Sequence, residues 1–174
     1  MKPRTNPIIL ALDPGTRYIG VAVLAGRGLA YHGVRTLQAE QTPHGRLEEV
    51  RRLVARLIRH FRPEILAVEK PFFARDRNAA LLNVLVDEIR AVGREHGVRV
   101  VALAPSTVRK RVCGSGQATK AEVARAVAAR FPELKALLQT GGSFRERYYG
   151  NLFDAVAVGL AAIRDRDDRA AEGS

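Results

Sequence analysis

Two apolar runs of this chain each end in a single acid followed at once, or one residue later, by proline: Ile8-Ile9-Leu10-Ala11-Leu12-Asp13-Pro14 and Ile65-Leu66-Ala67-Val68-Glu69-Lys70-Pro71. A short apolar run closed by a turn signal reads as a buried strand. A third acid, Asp154, sits in Leu152-Phe153-Asp154-Ala155-Val156-Ala157-Val158, which reads as a buried helix. Charged groups are almost never fully buried unless paired or bound to metal. Three carboxylates at the edges of one core therefore point to a metal site. Ligation by oxygen alone favours Mg²⁺ or Mn²⁺.

The rest of the chain supplies the frame for such a site. After the strand over 8–13, residues 18–25 and 29–36 read as two more strands, joined by Gly26-Arg27-Gly28 as a hairpin loop. An amphipathic helix over about 43–61 carries Leu47, Val50, Val54, Leu57 and Ile58 on one stripe, and Pro63 stops it. A fourth strand over 64–69, a helix over about 77–95 and a fifth strand over 98–103 follow. The 77–95 helix is apolar over a wide arc: Leu81, Leu85 and Ile89 are expected to face the sheet, and Val84 and Ala91 the other side. A short helix starts near Pro105, with Ser106 close to its N-terminus. Thr119 fits the N-cap of a helix running to about Arg130. The stretch 139–147 reads as a polar loop, and the last helix spans about 149–164. Three antiparallel strands followed by helix–strand–helix–strand make an α/β fold with a mixed five-stranded sheet flanked by helices. If the fourth strand lies beside the first, Asp13 and Glu69 become neighbours. Carboxylates that close repel, and a divalent cation would keep both ionised.

Length and charge narrow the partners. The 174 residues suit one domain, expected over 8–164, with a flexible start over 1–7 and a flexible charged tail over 165–174. The formal charge of +11 favours a polyanionic substrate. No apolar run is long enough to cross a bilayer, and the first residues lack the pattern of a signal peptide. Cys113 is the single cysteine, so no internal disulfide can form. A cytoplasmic protein is expected. Basic residues gather at Arg75 and Arg77, at Arg109, Lys110 and Arg111, and at Arg145 and Arg147. Contacts from such groups to phosphates would position DNA. Arg51, Arg52, Arg56 and Arg59 read as a solvated helix face. Phe72 and Phe73 are consecutive aromatics on a loop, able to stack on or wedge between bases. Tyr148 and Tyr149 read either as packing residues or as DNA contacts. The four histidines show no zinc spacing.

Several segments in order resemble the RuvC-type Holliday junction resolvases of the ribonuclease H-like superfamily. They are Leu12-Asp13-Pro14-Gly15-Thr16 with Gly20-Val21-Ala22; Val68-Glu69 with Phe72; Ala104-Pro105-Ser106 and Gly114-Ser115-Gly116-Gln117-Ala118-Thr119-Lys120; and Asp154-Ala155-Val156-Ala157-Val158. The similarity runs from Ile8 to about Ile163. It implies a homodimer that binds four-way DNA junctions and nicks two opposed strands by metal-dependent hydrolysis, leaving 5′-phosphate ends. A branch-migration motor is a further partner implied by the family. The resemblance assigns Asp13, Glu69 and Asp154 to the metal, usually two ions per site. It assigns Lys120 and Arg109 to DNA binding or catalysis, Phe72 to base stacking at the junction centre, and the 77–95 helix to the dimer seam.

One position departs from the pattern. The family usually carries a second acid, or in some members a histidine, three residues before the last aspartate. Here that residue is Asn151. It shares a helix face with Asp154, so it is expected either as a metal ligand through its amide oxygen or as a hydrogen-bonding residue at the helix start. It brings no charge and cannot act as a base. The segment Glu69-Lys70-Pro71-Phe72-Phe73 is also an unusual version, as in a divergent cellular or phage-encoded member. Three other readings stand beside this one. A monomeric ribonuclease H-like nuclease shares the Asp13 segment but fits Phe72 and 104–120 less well. A protein that holds junctions without cutting them would suit Asn151 but not the intact trio of acids. An actin-like ATPase would need a second lobe, and Gly114-Ser115-Gly116 with Lys120 lacks Walker spacing.

Overall fold

A computed structural model describes residues 7–38, 42–70, 77–138 and 143–172, with the side chains of 77–78, 143–147 and 165–172 outside that description. Strands β1 (Ile8–Pro14), β2 (Tyr18–Ala25) and β3 (Gly28–Thr36) lead into helix α1 (Pro43–Phe61). Strand β4 (Ile65–Glu69), helix α2 (Arg77–Glu95) and strand β5 (Arg99–Leu103) follow. The chain ends with α3 (Pro105–Cys113), α4 (Lys120–Arg130), a 3₁₀ turn over Pro132–Leu134, α5 (Lys135–Leu138) and α6 (Ser143–Glu172). The sheet order is β3-β2-β1-β4-β5. The first three strands pair antiparallel, and β1–β4 and β4–β5 pair parallel. This is the expected mixed sheet, with β1 in its centre.

Alternation along the strands sorts the core into two layers. Leu10, Leu12, Val21, Val23, Leu66 and Val68 point to one face, where Val50, Val54, Leu57 and Ile58 of α1 and Leu85, Ile89 and Val92 of α2 cover them. Ile9, Ala11, Ala22, Leu24, Ile65 and Ala67 point to the other, under Val108 of α3, Val123 and Val127 of α4, and Phe153, Val156 and Ala157 of α6. The local signals behave as their chemistry requires. Thr42 caps α1 by accepting from Gly45 N at 3.1 Å, and Pro43 occupies its first turn. Gly26 takes φ 61° at the first position of the two-residue β2–β3 hairpin. Leu85 and Ile89 of α2 are fully buried, Leu81 is half-buried, and Val84 is 47% exposed. Arg51, expected on a solvated face, is exposed there and also bridges α1 to α2 through ion pairs with Glu88 and Glu95.

Two boundaries differ from expectation. The β1–β2 turn lies two residues later than Asp13–Thr16: β1 runs through Pro14, and Gly15 N donates to Tyr18 O at 2.8 Å. Asp13 is thereby held in the ladder opposite Gly20 rather than capping a turn. Helix α6 is longer than 149–164 at both ends. From Leu160 to Glu172 the sequence holds no glycine or proline to stop it, and Gly173 follows.

Helix α6 lies close on the sheet because two glycines leave it room. A Cβ on Gly20 of β2 would stand 1.8 Å from Asn151 O, and one on Gly159 of α6 would stand 2.2 Å from Leu24 Cδ1. Gly20→Ala is therefore expected to push α6 off β2 and cost about 3 kcal/mol, the upper end of overpacking. Gly150→Ala, with nothing among the described residues near its Cβ, should be neutral or gain about 0.5–1 kcal/mol from helix propensity. Denaturant unfolding of the two variants beside the parent checks the contrast.

Candidate active site

The register of the parallel pair sets two of the acids side by side. Leu12 pairs with Val68, so the next residues, Asp13 and Glu69, leave adjacent strands at the same level. Both continue the odd-numbered series that faces α6, after Ile9 and Ala11 on β1 and Ile65 and Ala67 on β4. Asp154 comes to them from α6, with its side chain 19% exposed. Asp13 and Glu69 are half-buried. Sheet order and the face each strand turns to the helix set Asp13 beside Glu69, and the charge of Asp154 acts on both.

The cost of bringing them together shows in their protonation. Burial, then the charges of Asp154 and Glu69, hold the Asp13 carboxyl well above the ordinary range, with Lys120 partly countering them. Burial and the Asp154 charge push Glu69 up to about 7, against the lowering effect of Lys120 and Arg109. Lys120 Nζ bonds Asp154 Oδ2 at 3.1 Å. The Asp154 charge in turn holds the lysine's pKa above its usual value.

Lys120 owes its place to a capping box at the start of α4. Glu122 N donates to Thr119 Oγ1 at 3.3 Å, while Thr119 N donates to Glu122 Oε2 at 2.6 Å. The Thr-x-x-Glu spacing was the signal for Glu122, which reading the sequence for Thr119 alone left out. A cation in the first helical turn opposes the helix dipole. The partly buried Asp154 carboxylate offsets that conflict, and the arrangement leaves the lysine side chain 79% exposed at the mouth of the site.

The other expected residues divide. Arg109 of α3 is half-buried and acts on Glu69 through its charge. Lys110 is exposed. Arg111 serves the packing of α3 on α6: its Nη1 donates to Ala161 O at 3.2 Å, about 10 Å along α6 from Asp154. Arg164 returns a bond to Arg111 O. Arg111 lines a cavity of about 270 Å³ together with Arg27, Arg130 and Arg164, remote in sequence from one another. Asn151 Nδ2 donates to Tyr18 O at 2.8 Å. Tyr148 meets the Tyr18 ring edge-on at 5.5 Å and the Tyr149 ring at 5.3 Å, so both tyrosines take part in packing at the start of α6. No pattern in the sequence marked Tyr18 as their partner. Phe72, Phe73 and Arg75 lie outside the described residues, as do the side chains of Arg77, Arg145 and Arg147.

Three carboxylates with one ammonium make an all-oxygen donor set with an excess of negative charge, which suits a hard divalent cation. Among the described residues, no three acid, histidine or cysteine side chains are arranged to hold a metal ion. The acids are gathered around Lys120. Also among the described residues, no helix is long and apolar enough to cross a membrane.

The sheet order, the helix laid across β1 and β2, and the acids at the strand ends define a protein of the ribonuclease H-like class. The family described as "Crossover junction endodeoxyribonuclease RuvC" matches residues 9–140. A curated relative of that name from Vibrio vulnificus is 34% identical over 67% of this chain and 69% of its own length. One from Akkermansia muciniphila is 28% identical over 91% and 92%. The structure of Thermus thermophilus RuvC in complex with Holliday junction substrate superposes with a TM-score of 0.76 at 27% identity, covering 93% of this chain and 96% of that one. The chain belongs to the RuvC family of crossover junction endodeoxyribonucleases.

The raised Glu69 pKa has a direct consequence for the metal-free protein. A carboxyl that binds its proton more tightly when folded stabilises the fold below about pH 4.5 and loses that contribution as pH rises through 7. In chelator, the parent should lose about 2 kcal/mol relative to Glu69→Gln between pH 4.5 and 8, less than full conversion of the shift because water screens the half-buried group. Urea unfolding across that range reads the difference.

Proposed function

We propose that this chain resolves four-way DNA junctions by paired, metal-dependent nicks in two opposed strands, leaving 5′-phosphate ends. The observation that carries the reading is the meeting of Asp13, Glu69 and Asp154 under α6, with Lys120 bonded to Asp154. The family membership supports the substrate: the Thermus thermophilus RuvC structure of the same fold is a complex with Holliday junction substrate.

Asp13, Glu69 and Asp154 would hold Mg²⁺ or Mn²⁺, two ions per site, with Asp13 as the shared ligand between Glu69 and Asp154. Bound there, the metal would lower the pKa of a water and neutralise charge on the phosphate. The chain's own groups do the rest. Lys120 bonds and orients Asp154, and its exposed side chain offers a positive charge to an incoming phosphate. Arg109 favours the ionised form of Glu69. Lys110, with Arg75, Arg77, Arg145 and Arg147, completes the basic surface for the junction arms. Phe72, three residues after Glu69, would stack on a base at the junction centre, with Phe73 next to it in the sequence. A homodimer would present two such sites to opposed strands. Its seam would run along α2, where Val84 is exposed. A branch-migration motor is the further partner, and the cytoplasm the compartment.

The test is cleavage of a labelled mobile four-way junction against linear duplex, in Mg²⁺, Mn²⁺ or chelator. Symmetric nicks on the junction alone, absent in chelator, are expected. Cutting of all substrates alike would make the protein a general nuclease, and tight binding without cutting in either metal a junction-binding protein. Asp13→Asn is expected to lower the cleavage rate at least about a thousandfold, since a metal contributes several kcal/mol of transition-state stabilisation. Junction affinity in that variant should hold or rise slightly, because a negative charge leaves a polyanion's site.

A further inference from the structure

Asn151 stands where the resemblance leads one to expect an acid or histidine, and its amide donates a bond that a carboxylate would not reproduce. A carbonyl can be met only by a donor, so the bond to Tyr18 O sets the amide with its nitrogen toward β2. The same Tyr18 carbonyl accepts from Gly15 N at 2.8 Å across the turn. Asn151 therefore joins α6 to the closing hydrogen bond of the loop that follows Asp13. The fit around it is close. A Cβ on Gly15 would stand 2.7 Å from Asn151 Nδ2, and one on Gly20, the ladder partner of Asp13, would meet the Asn151 backbone. One turn earlier, Tyr148 rests against the Tyr18 ring. The first turns of α6 thus grip Tyr18 by both ring and carbonyl, and the next turn carries Asp154.

We propose that Asn151 is a positioning residue for Asp13: its amide N–H braces the Asp13–Tyr18 turn against α6 and so sets the spacing between Asp13 and Asp154. This rests on the nuclease reading above. A carboxylate at 151 would bring an acceptor to an acceptor at the Tyr18 carbonyl and break the brace. Introducing the acid that the resemblance leads one to expect should then weaken the site rather than complete it.

The test reads metal binding apart from catalysis, as the rise in unfolding temperature with Mn²⁺ concentration. Asn151→Ala and Gly15→Ala act on the same contact from opposite sides. Each is expected to raise the Mn²⁺ concentration for half the shift by about tenfold, the low end for a residue that orients a ligand. Junction affinity in chelator should stay within about twofold. The double variant should be no worse than the worse single one, because one contact is lost once. Asn151→Asp is expected to bind Mn²⁺ no more tightly than the parent and to cut more slowly. Tighter Mn²⁺ binding by Asn151→Asp with undiminished cutting, or additive losses in the double variant, would overturn the proposal and make 151 a ligand position. If Asn151→Ala does not fold, Gly15→Ala and Asn151→Asp carry the comparison. A parent protein that neither responds to Mn²⁺ nor cuts junctions sinks the nuclease reading, and this one with it. A parent that cuts, with variants of unchanged Mn²⁺ response, sinks only the role of Asn151.

Discussion

Helix α6 reaches its acid to the sheet because β2 has no side chain at position 20. The backbone of Asn151 occupies the volume that any Cβ there would fill, and Gly159 repeats the device further along the helix against Leu24. Close packing of this kind leaves little slack, since interiors are as dense as organic crystals. The position of Asp154 relative to Asp13 follows from it. So does the pairing of Asp154 with Lys120, because α4 packs on the same face through Val123 and Val127.

Around that contact the molecule concentrates charge that it does not neutralise by itself. Two strand-end carboxyls have raised proton affinity because burial and their neighbours disfavour ionisation. One ammonium and one nearby guanidinium are the counter-charges that act on them. A purely structural site would have matched charges or used apolar residues, which cost less to bury. The imbalance is of the sign that a divalent cation and then a phosphate would satisfy in turn. Strongly perturbed groups gathered at one place are a general mark of functional sites.

The basic residues show why charge counted along a sequence is an incomplete guide. Arg109, Lys110 and Arg111 are consecutive, yet on a helix they point in different directions. Arg109 acts on Glu69, Lys110 faces water, and Arg111 fastens α3 to α6 through Ala161 O. Arg51 likewise joins two helices rather than simply solvating one. Long cationic side chains are as well suited to tying backbone carbonyls and acids across helices as to meeting phosphates.

The sequence by itself determined the order and kind of the elements. Their signals are local: apolar runs closed by proline, the stripe of α1, the Thr119 cap. It also singled out Asp13, Glu69 and Asp154, because a carboxylate at the edge of an apolar core is costly to bury. The end of the first turn and both ends of α6 were less legible, because turn register and helix extension depend on competing local terms that differ little in energy. Tertiary structure alone decided how the acids meet. Sheet order put β4 beside β1, and the pleat turned Asp13 and Glu69 to the same face. Gly20 admitted α6 to within reach of both. The bond from Asn151 to Tyr18, residues remote in sequence, belongs to this second kind. Such contacts exist only once the chain has folded, and no spacing in the sequence encodes a distance across the sheet.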